Sequence, residues 1–156
     1  MRALPVVLAV ASLTLIAGCA KKGGEVSEGL PAVATAEEAL AQLPEQYRTA
    51  DLENGKAKFG FCRSCHTLTE GGPNGVGPNL YRVFGRKAGT GADYKYSDAV
   101  KNAGFVWDAE HLDHWLAKPK DYLPGTKMTF VGLPEEKDRI DLIAYLKVET
   151  GTIKAK

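Results

Sequence analysis

The sequence predicts a small all-α fold, and three observations predict it. No segment sustains the period-two apolar alternation of a half-buried strand, so no sheet is expected. Four stretches carry helix start and stop signals. Between the first and second runs a long Gly/Pro-rich stretch, Gly71 to Gly91. So long an irregular run inside a small domain needs an organising partner.

Each helix has its own signals. Asp51 can cap a helix that runs to about Phe61. Ser97 can cap a short one that Gly104 ends. Asp108 can cap a third, which Pro119 stops. The last opens at Pro134, continues through Ile140, Ile143, Ala144 and Leu146, and ends before Gly151.

Composition sets the class. Lys+Arg is 20 and Asp+Glu is 19 in 156 residues, so no charge signal points to nucleic acid. The 17 Gly and 8 Pro suit a loop-rich chain wrapped around something large. Three cysteines, Cys19, Cys62 and Cys65, argue against a disulfide framework, and each asks for its own role.

Cys62-Arg63-Ser64-Cys65-His66 is the C-x-x-C-H pattern of covalent haem attachment. Two thiols three positions apart at a helix end can reach both vinyl groups of one haem, and the next residue points its imidazole at the iron. A thioredoxin-like C-x-x-C wants a strand–helix setting, which the pattern lacks. A zinc site wants further Cys or His ligands; only His111 and His114 remain, on another expected helix. A haem is therefore expected, with His66 as one iron ligand.

The other axial position has three candidates. Past the signal-like N-terminus the chain has one methionine, Met128, in the loop Pro124-Gly125-Thr126-Lys127-Met128. A lone Met is most often core filler, but a loop is the wrong setting for filler. His111 and His114 are the rivals, on a charged helix with Asp108, Glu110 and Asp113 that suits ordinary surface histidines. A thioether opposite an imidazole raises the potential.

The N-terminus reads as an export signal. Arg2 precedes an almost wholly apolar run, Ala3 to Ala17, which is somewhat short for a membrane-spanning helix. Leu15-Ile16-Ala17-Gly18-Cys19 resembles the lipobox of bacterial lipoproteins, in which the cysteine is lipidated and becomes the first mature residue. An ordinary cleaved signal or an uncleaved anchor are the alternatives. Ala20 to Ala50 is rich in Ala, Glu, Gly and Pro, has no aromatic before Tyr47, and reads as a flexible tether with one weak helical stretch around Ala36 to Leu43. The expected organisation is a signal peptide over 1–18, a lipidated Cys19 and tether over 19–50, and a haem domain over 51–156.

From about Asp51 to Lys147 the sequence closely resembles class I cytochrome c of the mitochondrial and alphaproteobacterial type. The matching pieces are Cys62 to Thr67, Gly77-Pro78-Asn79-Leu80, Phe84-Gly85-Arg86-Lys87, Asn102 to Trp107, Tyr122 to Met128, and Asp141 to Lys147. They stand in the family's order and spacing. The resemblance implies the class I fold, about four short helices wrapped around one covalent haem c. It implies Met128 as the sixth iron ligand. It implies that the Pro78 carbonyl accepts the ring N–H of His66, and that Arg86, Tyr96 and Trp107 surround the haem propionates. Thr126 would sit beside the propionate and the Met loop, Phe130 would cover the Met side, and Gly55 would let the first helix cross the last near Leu142 and Tyr145. Two positions depart from the family's usual residues: Trp115 stands for Tyr and Val100 for Asn.

The resemblance implies a single-electron carrier rather than an enzyme. As a lipoprotein it would sit in the bacterial periplasm, anchored to a membrane, and shuttle as a monomer from a quinol:cytochrome c reductase to a terminal oxidase. The alternatives are a haem enzyme or gas sensor with an open sixth site, and a fixed haem subunit of a larger oxidoreductase. Residues 51–156 hold 16 Lys+Arg against 14 Asp+Glu, so charge steering toward an acidic partner is weak. A rim of Lys56, Lys87, Lys120 and Lys127 around the haem edge is the expected docking face.

Overall fold

The computed structural model of the chain describes residues 35–151. The expected signal segment, Cys19 and the first part of the expected tether lie outside the described residues. Among the described residues seven helices follow in order: α1 (Ala36–Leu40), α2 (Glu45–Arg48), α3 (Leu52–Phe59), α4 (Asp98–Lys101), α5 (Ala109–Ala117), α6 (Pro119–Tyr122) and α7 (Glu136–Thr150). Among the described residues there is no strand, only an isolated bridge between Lys87 and Val106, and no helix long and apolar enough to cross a membrane. The all-α expectation holds.

Local chemistry starts three of the four expected helices as anticipated. The side chains of Asp51, Ser97 and Asp108 accept the backbone N–H three residues on, from Asn54 at 3.0 Å, Val100 at 3.4 Å and His111 at 2.8 Å. The fourth, α7, opens at Glu136 rather than Pro134, with Glu135 as a cap that makes no side-chain bond. Pro119 stops α5 but also occupies the first position of α6, where its missing N–H costs nothing.

The frame is the crossing of α3 and α7. At Gly55 a Cβ would run into the Asp141 backbone and the Tyr145 Cβ, so only glycine lets the two helices approach this closely. Phe59 packs on Tyr145, ring centroids 5.9 Å apart. Asp141 is 1% exposed at the crossing and accepts three bonds: from the Asp51 N–H (2.9 Å), Asn54 Nδ2 (2.7 Å) and Lys137 Nζ (2.6 Å). Lys58 pairs with Asp138 at 2.6 Å across the same interface. α5 lies against α7 through buried Leu112 and Leu116, and Arg139 reaches Asp113 at 2.8 Å. Leu142, Ile143 and Ala144 have no exposed surface and form the centre of the core.

The expected boundary at Asp51 is too late. The packed unit already includes α1 and α2, which lie against α7. Thr35 and Glu38 form a reciprocal capping box on α1. Ala39, Leu43 and Tyr47 are buried, and the Tyr47 hydroxyl reaches the Ala109 carbonyl at 3.5 Å. Residues 35–50 are part of the domain's wall because they supply apolar side chains that α5 and α7 would otherwise expose.

Candidate functional site

After Phe59, α3 continues as tight turns that carry the C-x-x-C-H segment. Cys62 N–H donates to the Phe59 carbonyl (2.8 Å), Cys65 N–H to Cys62 (3.0 Å) and His66 N–H to Cys62 (2.9 Å). Both cysteines are free, half-buried thiols. Burial, and then the neighbouring Cys65, push the Cys62 thiol up to about 11. Dithiol exchange needs an accessible thiolate, so Cys62 is ill suited to act as the attacking thiol. Among the described residues no three His, Cys, Asp or Glu cluster as a metal site would require, which disfavours zinc.

The His66 ring is held on two sides. Its Nδ1 lies 2.7 Å from the Pro78 carbonyl. A carbonyl can only accept, so Nδ1 carries the proton and Nε2 keeps its lone pair. Burial pulls the imidazole below its usual pKa, opposed by the Pro78 bond, which favours the neutral ring a metal needs. The Gly77 backbone lies on the ring so closely that any Cβ there would enter it. The turn beneath is fixed by side chains. Asn79 Nδ2 donates to Thr67 Oγ1 (2.7 Å) and the Thr69 carbonyl (2.9 Å), and Thr67 Oγ1 donates to the Pro73 carbonyl (2.8 Å).

The other expected residues fall into two groups. Arg86 and Trp107 are joined through their backbones, Trp107 N–H to the Arg86 carbonyl at 2.9 Å. The Arg86 guanidinium donates to the Asn79 carbonyl (3.1 Å) and the Tyr81 carbonyl (3.3 Å), tying it to the turn below His66. Tyr96 is half-buried; burial raises its phenol, and Arg86 nearby opposes that. Trp115, in its departure from the usual Tyr, packs edge-on against Trp107 with ring centroids 5.4 Å apart. Val100, the other departure, is buried. In the second group, Met128 N–H donates to Thr126 Oγ1 at 3.2 Å, and Phe130 packs half-buried against the core. The rival ligands are engaged elsewhere: His111 stacks on Phe105 and bonds Asp108 at 2.7 Å, and His114 stacks on Tyr122. Lys56, Lys87, Lys120 and Lys127 are exposed and make no ion pair among the described residues.

The residue that sequence reasoning missed is Asn74. It bridges two loops that lie apart in the chain, and an Asn in a Gly/Pro run signals a turn and nothing more distant.

A family model for cytochrome c matches residues 52–148. The chain belongs to the cytochrome c family. It is 58% identical over 86 residues to cytochrome c of Theileria parva, covering 55% of this chain and 74% of that protein. A cytochrome c homolog of Bradyrhizobium diazoefficiens is 42% identical over 131 residues, 83% of this chain and 66% of that one. Among solved structures, cytochrome cH from Methylobacterium extorquens matches with a TM-score of 0.58 and 48% identity, covering 63% of this chain and 98% of that one. The fold is the class I type. The family's cofactor is covalently bound haem c with its iron, and its role is electron carriage. Two free thiols on one turn and a neutral imidazole with its Nε2 lone pair free fit that group.

Proposed function

We propose that Cys62 and Cys65 hold the haem through thioethers, that His66 Nε2 and the Met128 thioether are its axial ligands, and that the protein carries single electrons from a quinol:cytochrome c reductase to a terminal oxidase. The observation that carries the ligand assignment is the 2.7 Å bond from His66 Nδ1 to Pro78, which fixes the tautomer that presents Nε2. The bound group supplies a reversible one-electron change at iron. The chain's residues do the rest. Pro78 and Gly77 orient the imidazole, Thr126 shapes the Met128 loop, and Arg86, Tyr96 and Trp107 would surround the propionates, with Phe130 over the Met side. Imidazole–thioether ligation favours a high potential.

Partner contact would use the surface beside the attachment turn. Phe61 is 64% exposed, one residue before Cys62, and Val131 is 84% exposed, three after Met128. Lys56 and Lys127, five and four residues from these two and free of ion pairs among the described residues, would add positive charge to that surface. The lipobox-like segment supports a lipid on Cys19, export to the periplasm, and residues 20–34 as the linker to the packed unit. Tethering raises local concentration and offsets weak steering.

The test is electron flow. Lipidated protein in membranes should be reduced by quinol through the reductase and oxidised by the oxidase, and Met128→Ala should slow that flux. Unchanged respiration on deletion, together with no reduction of the purified protein by those membranes, would contradict the carrier reading.

A further inference from the structure

The peptide between Pro78 and Asn79 is bonded at both ends. Its carbonyl accepts the His66 Nδ1–H at 2.7 Å, and its N–H, which belongs to Asn79, donates to Asn74 Oδ1 at 2.8 Å. The other end of the Asn74 amide, Nδ2, donates to the Ala92 carbonyl at 3.0 Å. One partner is a donor and the other an acceptor, so only one orientation of this amide satisfies both. The result is a directed chain of three bonds, from His66 through the Pro78–Asn79 peptide and Asn74 to Ala92. All the dipoles run the same way, and bonds in such a chain polarise one another.

We propose that Asn74 is a positioning residue that sets the reduction potential: by drawing on the Asn79 N–H it makes the Pro78 carbonyl a stronger acceptor, and so makes His66 a more electron-rich ligand. This rests on the reading of His66 as an iron ligand. An imidazole whose Nδ1–H is more strongly bonded has more charge on Nε2. That charge stabilises oxidised iron over reduced iron and lowers the potential. Asn74 touches neither His66 nor the haem-attachment residues in this chain of bonds; it acts only through the peptide.

The two loops that Asn74 joins are also joined by a second bond, which provides the control. The Tyr94 hydroxyl donates to the Val76 carbonyl at 2.6 Å, close to Asn74 and Ala92 in both loops, without touching the Pro78–Asn79 peptide. Tyr94→Phe removes that bond and keeps the ring that packs on Tyr96.

The experiment is potentiometry of the holoprotein with proton NMR of the His66 ring, for the parent, Asn74→Leu, Asn74→Asp and Tyr94→Phe. Asn74→Leu should shift the potential upward and move the Nδ1–H resonance upfield, as its bond weakens. Asn74→Asp keeps an acceptor for the Asn79 N–H, so its potential should not rise above the parent's and its resonance should not move upfield. Tyr94→Phe should lower thermal stability yet leave both readouts in place. The inference is overturned if Asn74→Leu leaves both unmoved, if Tyr94→Phe shifts them as far, or if Asn74→Asp behaves as Asn74→Leu does. Should the oxidised parent show no hyperfine-shifted His66 ring protons, the ligand assignment fails first and takes this inference with it. Shifted protons that ignore Asn74→Leu sink this inference alone.

Discussion

The two sides of the site are built differently. On the His66 side the imidazole's own ring nitrogen is bonded at 2.7 Å, a glycine backbone covers the ring, and the turn below is pinned by Asn79, Thr67 and Asn74 at 2.7 to 2.8 Å. On the Met128 side the thioether has no donor to hold it. Its loop is tied by Thr126 N–H to the Leu123 carbonyl at 3.1 Å, by Met128 N–H to Thr126 at 3.2 Å and by Lys127 Nζ to the Lys95 carbonyl at 3.3 Å. The His66 ring is held by hydrogen bonding and close packing, whereas the Met128 side chain is placed only through the backbone of its loop. That asymmetry suits the proposed carrier: under the proposed ligation the imidazole side would fix the haem, and the thioether side would close the sixth position and favour a high potential.

The sharpest way to break this contrast is to remove each ligand. His66→Ala should abolish accumulation of stable holoprotein, read as haem staining on a denaturing gel. Met128→Ala should keep the covalent haem, lower the potential and acquire carbon monoxide binding. If both variants lose haem equally, the two sides are not different in kind.

A second pair compares glycines. Gly77→Ala would drive its Cβ into the His66 ring, and overpacking of this sort costs about 1–3 kcal/mol, with the low-spin spectrum disturbed. Gly125 has φ +91 but open surroundings, the nearest atom being the Ala99 Cβ at 3.5 Å. Gly125→Ala therefore carries only backbone strain, about 1–2 kcal/mol by chemical denaturation, and the spectrum should hold.

A third comparison concerns the crossing of α3 and α7, away from both ligand loops. Burial pushes the Asp141 carboxyl up, but Lys137, Asn54 and the Asp51 N–H outweigh it and hold it below its usual value. A lowered folded-state pKa means the contribution is fully present above the unfolded value, near pH 4, and is lost as pH falls through the folded one. Unfolding free energy should thus decline on acidification below about pH 4. Asp141→Asn should flatten that decline and cost about 1–3 kcal/mol at pH 7 through its poorly satisfied donors.

What was legible in the sequence was local. The caps at Asp51, Ser97 and Asp108 act over three residues, and C-x-x-C-H fits on one turn, so spacing alone revealed them. The order of the family's pieces carried the fold. Residues 35–50 were misread because their Ala- and Glu-rich composition looks like a linker. Yet Ala39, Leu43 and Tyr47 are apolar residues spaced four apart, and Thr35 with Glu38 is a capping box. Asn74 was beyond reach, since its two bonds join backbone groups at Asn79 and Ala92, and no periodicity records such a bridge.

The most direct test of the account is the visible spectrum of the holoprotein, oxidised and reduced, before and after carbon monoxide. Ligation by His66 and Met128 predicts a low-spin six-coordinate spectrum, a weak far-red sulfur-to-iron band in the oxidised state that Met128→Ala removes, and no response to carbon monoxide. A high-spin spectrum, or ready carbon monoxide binding by the parent, would contradict it.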